Sequence, residues 1–292
     1  MSRYRFISAE QAHNPITILC RVLDVGRSGY SARARRGVSA RAHGDEALAA
    51  QIAQIREERR RTYGMPRVRA ALHARGVRRG SRWVARLMRA AGRAGCHRRR
   101  RTRTTVADPT RAPAPNLVAR DFAARAPDRL WVGDSTYIAT WEGWLYLAVL
   151  LDAHSRRVIG WAMADHLRTE LALDALTMAL DRRRPATGLV HHTDRGCQYT
   201  AAASQEMLTA QAIAISMSRV GDCYDNALAE RFFATLKREL VDRHPWPTRR
   251  AARQAIFAWI EIFSNRQRSH SALGYRSPVA FESTLAGEAQ AA

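Results

Sequence analysis

The sequence is almost without lysine and is poor in cysteine. Lys237 is the only lysine, so arginine carries nearly all of the positive charge. The four cysteines form no CxxC pair and show no spacing with histidine that would predict a zinc site. This pattern excludes a disulfide-rich secreted scaffold and indicates reduced cysteines in an intracellular protein.

Long apolar runs are also missing. The longest apolar run that contains aromatic residues, Leu145–Leu151, is far too short to span a bilayer. Near the N-terminus, the stretch ITILCRVL is interrupted by Arg21 and does not match a signal peptide. Because 46% of the 292 residues are hydrophobic, the chain can still bury a core. We therefore expect a soluble globular protein without a membrane partner.

Acidic residues are scarce, and the excess of basic over acidic residues is distributed unevenly along the chain. The formal net charge is +22, and residues 1–128 carry 29 of the 48 basic residues but only 9 of the 26 acidic ones. A basic front half joined to a near-neutral back half favours a nucleic-acid-binding arm attached to an enzyme core. The alternative is arginine-rich charge that serves only solubility.

Five segments are predicted from changes in pattern and composition. They are a weakly patterned basic segment with one short helix at Ile16–Val25 followed by a mobile stretch (1–44), a helical module (45–97), a basic proline-containing linker (98–127), a catalytic core (128–243), and a C-terminal helix with a basic extension (244–292).

The helical module contains three short helices. Asp45 is predicted to cap the first helix, Pro66 to begin the second and Ser81 to cap the third. In the third helix an apolar stripe opposes a basic one, the two consisting of Val84, Leu87, Met88 and Ala91, and of Arg82, Arg86, Arg89 and Arg93. This division predicts a helix-turn-helix-like module whose arginines bind DNA. An ordinary solvated arginine face is the alternative.

The core reads as a mixed α/β fold. Two β-rich runs flank a turn at Trp141–Gly143, a third follows, and helices then alternate with strands in the order β-β-β-α-β-α-β-α. This order is typical of the ribonuclease-H-like fold of the retroviral integrase superfamily, with helices on both faces of the sheet.

Three acidic residues stand in apolar surroundings within this core. Asp134 lies inside LWVGDSTYIAT, Asp194 ends GLVHHTD, and Glu230 lies in a predicted helix with 35 residues between it and Asp194. A buried carboxylate is costly unless it is paired or binds a metal. In the predicted fold the three meet at one sheet edge, so we expect a site for Mg²⁺ or Mn²⁺, with two ions, that is incomplete until metal binds.

Four motifs carry a resemblance to a known family. GDSTYI, HTDRGCQY, YDNALAERFFATLKREL and NRQRSHSALGYRSP resemble the DDE transposases of bacterial insertion sequences, specifically OrfB-type chains of the insertion-sequence-three family, whose core is similar to retroviral integrase. The resemblance covers about 45–283 and includes a helix-turn-helix segment. Cys197 and Ser264 depart from the residues common in the family, and the zinc-binding module of retroviral integrases is absent.

The resemblance implies an activity and its residues. Asp134, Asp194 and Glu230 match the catalytic metal-binding triad, and Lys237 matches a residue that contacts terminal DNA. The implied enzyme nicks DNA to expose a 3′-OH and joins it to target DNA. Implied partners are double-stranded terminal repeats and target DNA, further copies of the chain, and an upstream OrfA-type partner or fusion. The implied location is the bacterial cytoplasm, on the nucleoid.

Several alternatives stay open at this point. His191 and His192 could be metal ligands, or strand-end histidines held by local hydrogen bonds. Asp152 could approach the site or be a solvated turn residue, and Asn226 could orient Glu230, bind DNA or only begin a helix. The HTDR segment with Tyr224 would suit a tyrosine recombinase if it were helical. A non-catalytic DNA-binding regulator and a metal nuclease without strand transfer are the remaining classes.

Overall fold

The computed structural model describes residues 3–35, 40–96, 114–219 and 223–291. Residues 98–113 of the predicted basic linker lie outside these ranges. Within the described ranges, none of the helices combines the length and apolar character that crossing a bilayer requires.

Three helices form the N-terminal segment, where the sequence predicted one. They are α1 (Arg3–Glu10), α2 (Ile16–Val22) and α3 (Arg27–Arg35). The expectation of a mobile stretch after the first predicted helix is wrong, because Tyr30 of α3 is buried with Ile7, Leu19 and Cys20 in a small core. One buried aromatic residue is enough to dock this short basic helix.

The helical module consists of α4 (Ala40–Glu58), α5 (Met65–Ala74) and α6 (Ser81–Ala90). Its core contains Leu48, Ile52, Ile55, Val84, Leu87 and Met88, as the periodicity predicts, but Ala91 of the predicted apolar stripe is exposed just after the end of α6. Asp45 does not cap α4, because the helix begins five residues earlier. The Asp45 carboxylate instead accepts hydrogen bonds from Trp83 and Arg86 of α6. Ser81 is the first residue of α6 and makes no capping hydrogen bond, since Gly80 precedes the helix.

The catalytic core is a five-stranded mixed sheet covered by helices. Its strands are β1 (Leu130–Thr140), β2 (Gly143–Asp152), β3 (Val158–Ala164), β4 (Val190–Thr193) and β5 (Ala214–Met217), and its helices are α7 (Thr169–Arg183), α8 (Cys197–Thr200), α9 (Ala202–Ala210) and α10 (Ala227–Glu239). The strand order is β3-β2-β1-β4-β5, with antiparallel pairing among the first three and parallel pairing of β1, β4 and β5. This is the predicted ribonuclease-H-like sheet.

Successive side chains of β1 point to opposite faces of the sheet, and each face packs against its own helices. Trp131 packs with residues of α7 and α9 on one face, whereas Val132 and Ile138 pack with residues of α10 on the other. Contact with α7 is closest at Gly160, where a Cβ atom would lie 2.1 Å from the carbonyl oxygen of Ala175. Only glycine allows the helix to approach β3 so closely.

The C-terminal part begins with α11 (Arg249–Phe257), which Thr248 caps as predicted by accepting a hydrogen bond from the Ala251 amide. The helix continues as a π-helical turn, Ala258–Ser264, that buries Trp259, Ile260 and Phe263. A last helix, α12 (Pro278–Ala291), was not predicted.

The helical module packs against the catalytic core. Glu239, the last residue of α10, accepts a bidentate hydrogen bond from Arg268 and a longer one, 3.4 Å, from Arg67 of α5. Arg59 of the module also donates to the Gln267 carbonyl at 3.0 Å. The hydrophobic residues of the module and of the α10 face of the sheet form one continuous cluster.

Candidate active site

Parallel pairing of β1 with β4 brings the first two acidic residues together. Trp131 pairs with His191 and Val132 with His192. Continued by two residues, this register places Asp134 beside Asp194, where β4 has ended and β1 continues. One residue before Asp134 and Asp194 the two strands are close together, since a Cβ atom on Gly133 would lie 3.1 Å from the Thr193 methyl group.

Asp134 and Asp194 are each half-buried. Burial raises the pKa of Asp194, and a hydrogen bond from the Gly196 amide at 3.0 Å only partly offsets this rise. An oxygen of Asp134 accepts from the Ser135 amide at 2.7 Å. Beside them, burial and the charges of both carboxylates raise the pKa of the Tyr199 hydroxyl well above its ordinary value. The Asp134 and Asp194 carboxylates therefore both lie near the Tyr199 hydroxyl.

Glu230 lies in the first turn of α10, and Asn226 brings that end of the helix to the sheet. The Asn226 side chain is buried and donates to the carbonyl oxygen of Gly133 at 3.3 Å. Among the residues that the structure describes, no three His, Cys, Asp or Glu side chains are grouped closely enough to hold a metal ion. The β1–β4 register thus brings Asp134 near Asp194, and Glu230 lies one turn after the contact with β1, but the described structure does not gather the three carboxylates into one group as the sequence predicted.

Lys237 lies two turns after Glu230 on α10. Its Nζ atom is 5.0 Å from the centre of the Tyr137 ring, and Tyr137 follows Asp134 by three residues on β1. The ammonium group is therefore next to the strand that carries the first carboxylate.

Asp225 was missed by the sequence analysis. Its carboxylate is fully buried and accepts hydrogen bonds from Asn116, from Arg120 and from the amide and side chain of Arg219, at distances between 2.9 and 3.3 Å. The Arg219 guanidinium is the main cause that holds the pKa of Asp225 far below its usual range. The available signal was an acidic residue directly before the Glu230 helix, with an arginine six positions upstream.

Of the two histidines before Asp194, His192 is held by hydrogen bonds within the protein, whereas the buried Nε2 atom of His191 has no hydrogen-bond partner among the described residues. Both ring nitrogens of His192 are used, Nδ1 at 2.8 Å from the Ser216 hydroxyl and Nε2 at 2.7 Å from the Asp225 carbonyl. His191 is buried, and desolvation lowers its pKa to about 4. Local hydrogen bonding was therefore the right interpretation for His192.

Asp152 is not the solvated turn residue that the sequence favoured. It is fully buried and accepts from the amide and hydroxyl of Ser155 and from the Asp128 amide. It also pairs with Trp131, three residues before Asp134, which places it towards the far end of β1.

The predicted arginine stripe is only partly formed. Arg82, Arg86 and Arg89 are exposed on α6, and Arg86 also forms a 2.6 Å ion pair with Asp45. Arg93 lies beyond the end of α6 and donates to the Ala49 carbonyl at 3.4 Å, so it does not belong to the exposed face of the helix. The sequence could not show that Asp45, on another helix, would take one of the four arginines.

Comparison with known families defines the class of protein. Residues 124–223 and 211–278 match models of the integrase core domain, and residues 43–101 match a helix-turn-helix-like domain. A ribonuclease-H-like integrase core that follows such a domain defines a DNA transposase or integrase, an enzyme of the DDE polynucleotidyl transferase class.

Individual relatives narrow the class to a family. The chain is 41% identical over 264 residues to a 31 kDa protein of insertion element IS600 from Shigella sonnei, covering 90% of this chain and 97% of the relative. It is 38% identical over 286 residues to the transposase InsF of insertion sequence IS3A from Escherichia coli, covering 96% and 98%. The chain therefore belongs to the IS3 family of insertion-sequence transposases.

A solved structure with a similar chain is the intasome of simian T-cell lymphotropic virus in complex with a PP2A regulatory subunit. The similarity covers 79% of this chain and 73% of that one, with a TM-score of 0.44 and 16% identity.

Proposed function

We propose that the chain binds the ends of an insertion sequence through α4–α6, nicks them to expose a 3′-OH, and joins that hydroxyl to a phosphodiester of target DNA. The observation that supports this proposal is the parallel β1–β4 register, whose continuation by two residues brings Asp134 and Asp194 to neighbouring positions, together with the hydrogen bond from Asn226, at the start of the Glu230 helix, to β1. Water and the DNA 3′-OH serve as nucleophiles, so the protein needs no covalent intermediate.

Asp134, Asp194 and Glu230 would hold Mg²⁺ or Mn²⁺, and two ions suit the reaction. The fit is chemical, because carboxylate oxygens are preferred ligands of hard divalent cations and both Asp134 and Asp194 lie near the buried Tyr199 hydroxyl. When bound, the ions activate the attacking oxygen and stabilise the leaving one. Metal binding would also relieve the desolvation of Asp194, whose pKa burial raises.

The remaining site residues position the triad or bind DNA. Asp225 and Asn226 fix the start of α10 relative to β1 and β4, which sets the position from which Glu230 completes the triad. Lys237 neutralises a DNA phosphate next to Asp134, with its ammonium group supported by the face of the Tyr137 ring. The exposed Arg82 and Arg89 contact the terminal repeat from α6.

Assembly and location follow from the reaction. Joining two element ends to one target needs more than one active site, so we propose a homo-oligomer on DNA in the bacterial cytoplasm, at the nucleoid. An OrfA-type region, supplied as a partner or by fusion, would add to the recognition of the ends.

A strand-transfer assay tests the proposal. The full-length chain is incubated with duplexes of the flanking element ends, a supercoiled target and Mg²⁺ or Mn²⁺, and the products are sequenced. The expected product joins the 3′ end of the element covalently to target DNA and does not form in EDTA. Metal-dependent nicking without any joined product would identify a nuclease instead, and binding without nicking would identify a regulator.

A further inference from the structure

The hairpin between β1 and β2 carries three large aromatic side chains in contact with solvent. Trp141 at the turn is 76% exposed, Trp144 of β2 is 48% exposed and Tyr137 of β1 is 39% exposed. The Tyr137 and Trp144 rings meet edge to face with their centres 4.9 Å apart. We call these three residues the aromatic hairpin. Grouped aromatic exposure of this kind is typical of a binding surface.

The aromatic hairpin is held firmly, so its exposure is not the result of a frayed turn. The Trp141 amide donates to the Trp246 carbonyl at 3.0 Å, and Arg249 donates from its side chain to the Trp144 carbonyl at 3.0 Å. Glu142 accepts from the Arg249 amide at 2.8 Å and thereby joins the turn to the first residue of α11. The protein thus presents Trp141 on a fixed support.

Positive charge surrounds the aromatic hairpin. Lys237 lies 5.0 Å from the Tyr137 ring centre, Arg249 contacts the turn, and Arg250 and Arg253 are exposed on the adjoining α11. A surface that combines aromatic faces with cations is complementary to nucleic acid, since bases stack on the rings and phosphates meet the charges. A second copy of this chain, with its own net charge of +22, is a poorer match.

The surface is continuous with the proposed active site. Strand alternation turns the Asp134 and Tyr137 side chains to opposite faces of β1, but Lys237, on the same helix as Glu230, reaches the Tyr137 ring and so connects the two regions. A DNA strand that leaves the active site past Lys237 would therefore reach these rings.

We infer that the aromatic hairpin binds DNA by stacking on bases that are unpaired or unstacked next to the cleaved position. The inference rests on the proposed function, because it takes the DNA in the active site as the occupant. It adds a base-binding surface to a site whose other contacts are to phosphates, and it assigns Trp141 the largest share because its ring is the most exposed.

Binding without metal tests the inference separately from catalysis. The full chain is titrated, in EDTA, with a duplex whose end is splayed into unpaired strands, and with a fully paired duplex of the same sequence. Trp141→Ala should weaken binding of the splayed duplex by about 5-fold to 100-fold and leave binding of the paired duplex within about twofold. Trp141→Tyr should retain most of the affinity, whereas Trp141→Leu should not, because only an aromatic face can stack.

Phe257→Ala is the matched control, since Phe257 is 48% exposed on α11 but contacts Trp161 of β3 instead of the hairpin. A 2-aminopurine base placed in the splayed strand should be quenched by the wild-type chain and not by Trp141→Ala. Equal binding of both duplexes by wild type and Trp141→Ala would overturn the inference. So would a change of oligomeric state in Trp141→Ala by sedimentation. If the wild-type chain shows no Mg²⁺-dependent joining but binding of the two duplexes still differs between the wild type and Trp141→Ala as expected, only the proposed function is contradicted.

Discussion

At the scale of single residues, the site depends on a pair that contributes no proposed metal ligand. The Asp225 carbonyl accepts from His192, two residues before Asp194, and Asn226 donates to Gly133, the neighbour of Asp134. The same two residues begin the segment that leads into Glu230. The Asp225–Asn226 dipeptide therefore makes contacts close to Asp134 and Asp194 and lies one turn before Glu230.

Replacing Asp225 tests whether this pair positions the triad. Asp225→Asn removes the charge that Arg219 and Arg120 bind, and it should lower the joining rate at least about tenfold and weaken Mn²⁺ binding measured by electron paramagnetic resonance. Asp152→Asn is the matched control, because Asp152 is equally buried and its carboxylate accepts three hydrogen bonds, against five at Asp225. Both should lose about 1–3 kcal/mol of stability. Equal effects of the two variants on Mn²⁺ affinity would show that Asp225 is merely structural.

Lys237 offers a second test at this scale. Lys237→Ala should reduce joining more than overall DNA binding, because one phosphate contact beside the active site is lost from a surface with many others. The slope of log affinity against log salt should become shallower by about one unit at most. Lys237→Arg, which keeps the charge beside the Tyr137 ring, is the control. Wild-type joining by Lys237→Ala would show that the lysine is only a solvated helix residue.

At the scale of elements, the sequence predicts best where burial follows the local period. The five strands, the α10 helix and the cap of α11 at Thr248 were all predicted, because alternation, apolar runs and capping are local properties. The closeness of Asp134 to Asp194 stays a prediction that the β1–β4 register supports, because continuing that register by two residues past Val132 and His192 reaches both acidic residues.

Long-range contacts decide the elements that were mistaken or missed. Asp45 looked like a cap until α6 supplied Trp83 and Arg86 as its partners. Helix α3 has little apolar surface and depends on the single buried Tyr30. Asp225 was missed because two of its partners, Asn116 and Arg120, lie more than 100 residues before it, and only Arg219 is close in sequence. None of these contacts can be read from a period of two or 3.6.

The α6 helix gives the prediction for DNA recognition. Arg82→Gln together with Arg89→Gln should leave stability within about 0.5 kcal/mol, because both side chains are exposed. Affinity for element ends should fall and the salt slope should become shallower by up to about two units. The control removes two other exposed charges, Arg61→Gln with Arg129→Gln. Equal losses of end-specific affinity in the two double variants, measured by competition footprinting, would rule out recognition by this face of α6.

At the scale of the whole molecule, buried charges join the helical module to the catalytic helix. Glu239 and Arg268 are almost completely buried, and Arg67 of α5 reaches the same carboxylate. Behind them, burial and then the neighbouring Arg268, Arg67 and Arg156 lower the pKa of His270 to about 3. The module and the core should therefore unfold together, with a stability that depends on pH.

The sign of that dependence follows from the depressed pKa of His270. The unfolded chain binds a proton at about pH 6.5 and the folded chain only at about 3, so the contribution is complete above pH 6.5 and is lost as the pH falls. Between pH 7.5 and 5 the free energy of unfolding should drop by about 2 kcal/mol from His270 alone. Urea denaturation at pH 7.5 and at pH 5 measures this drop in the free energy of unfolding. His270→Asn should abolish the part of the drop that His270 contributes. An unchanged pH dependence in His270→Asn would contradict the assignment.

The central claim is that Asp134, Asp194 and Glu230 form one metal-dependent site for strand transfer. The most direct measurement is joining of element-end DNA by Asp134→Asn, Asp194→Asn and Glu230→Gln, with DNA binding of each variant measured in parallel. Each variant should bind DNA within about twofold of the wild type, since binding depends on the basic surfaces, and each should give no joined product in Mg²⁺ or Mn²⁺. Joining at the wild-type rate by any of the three would contradict the claim.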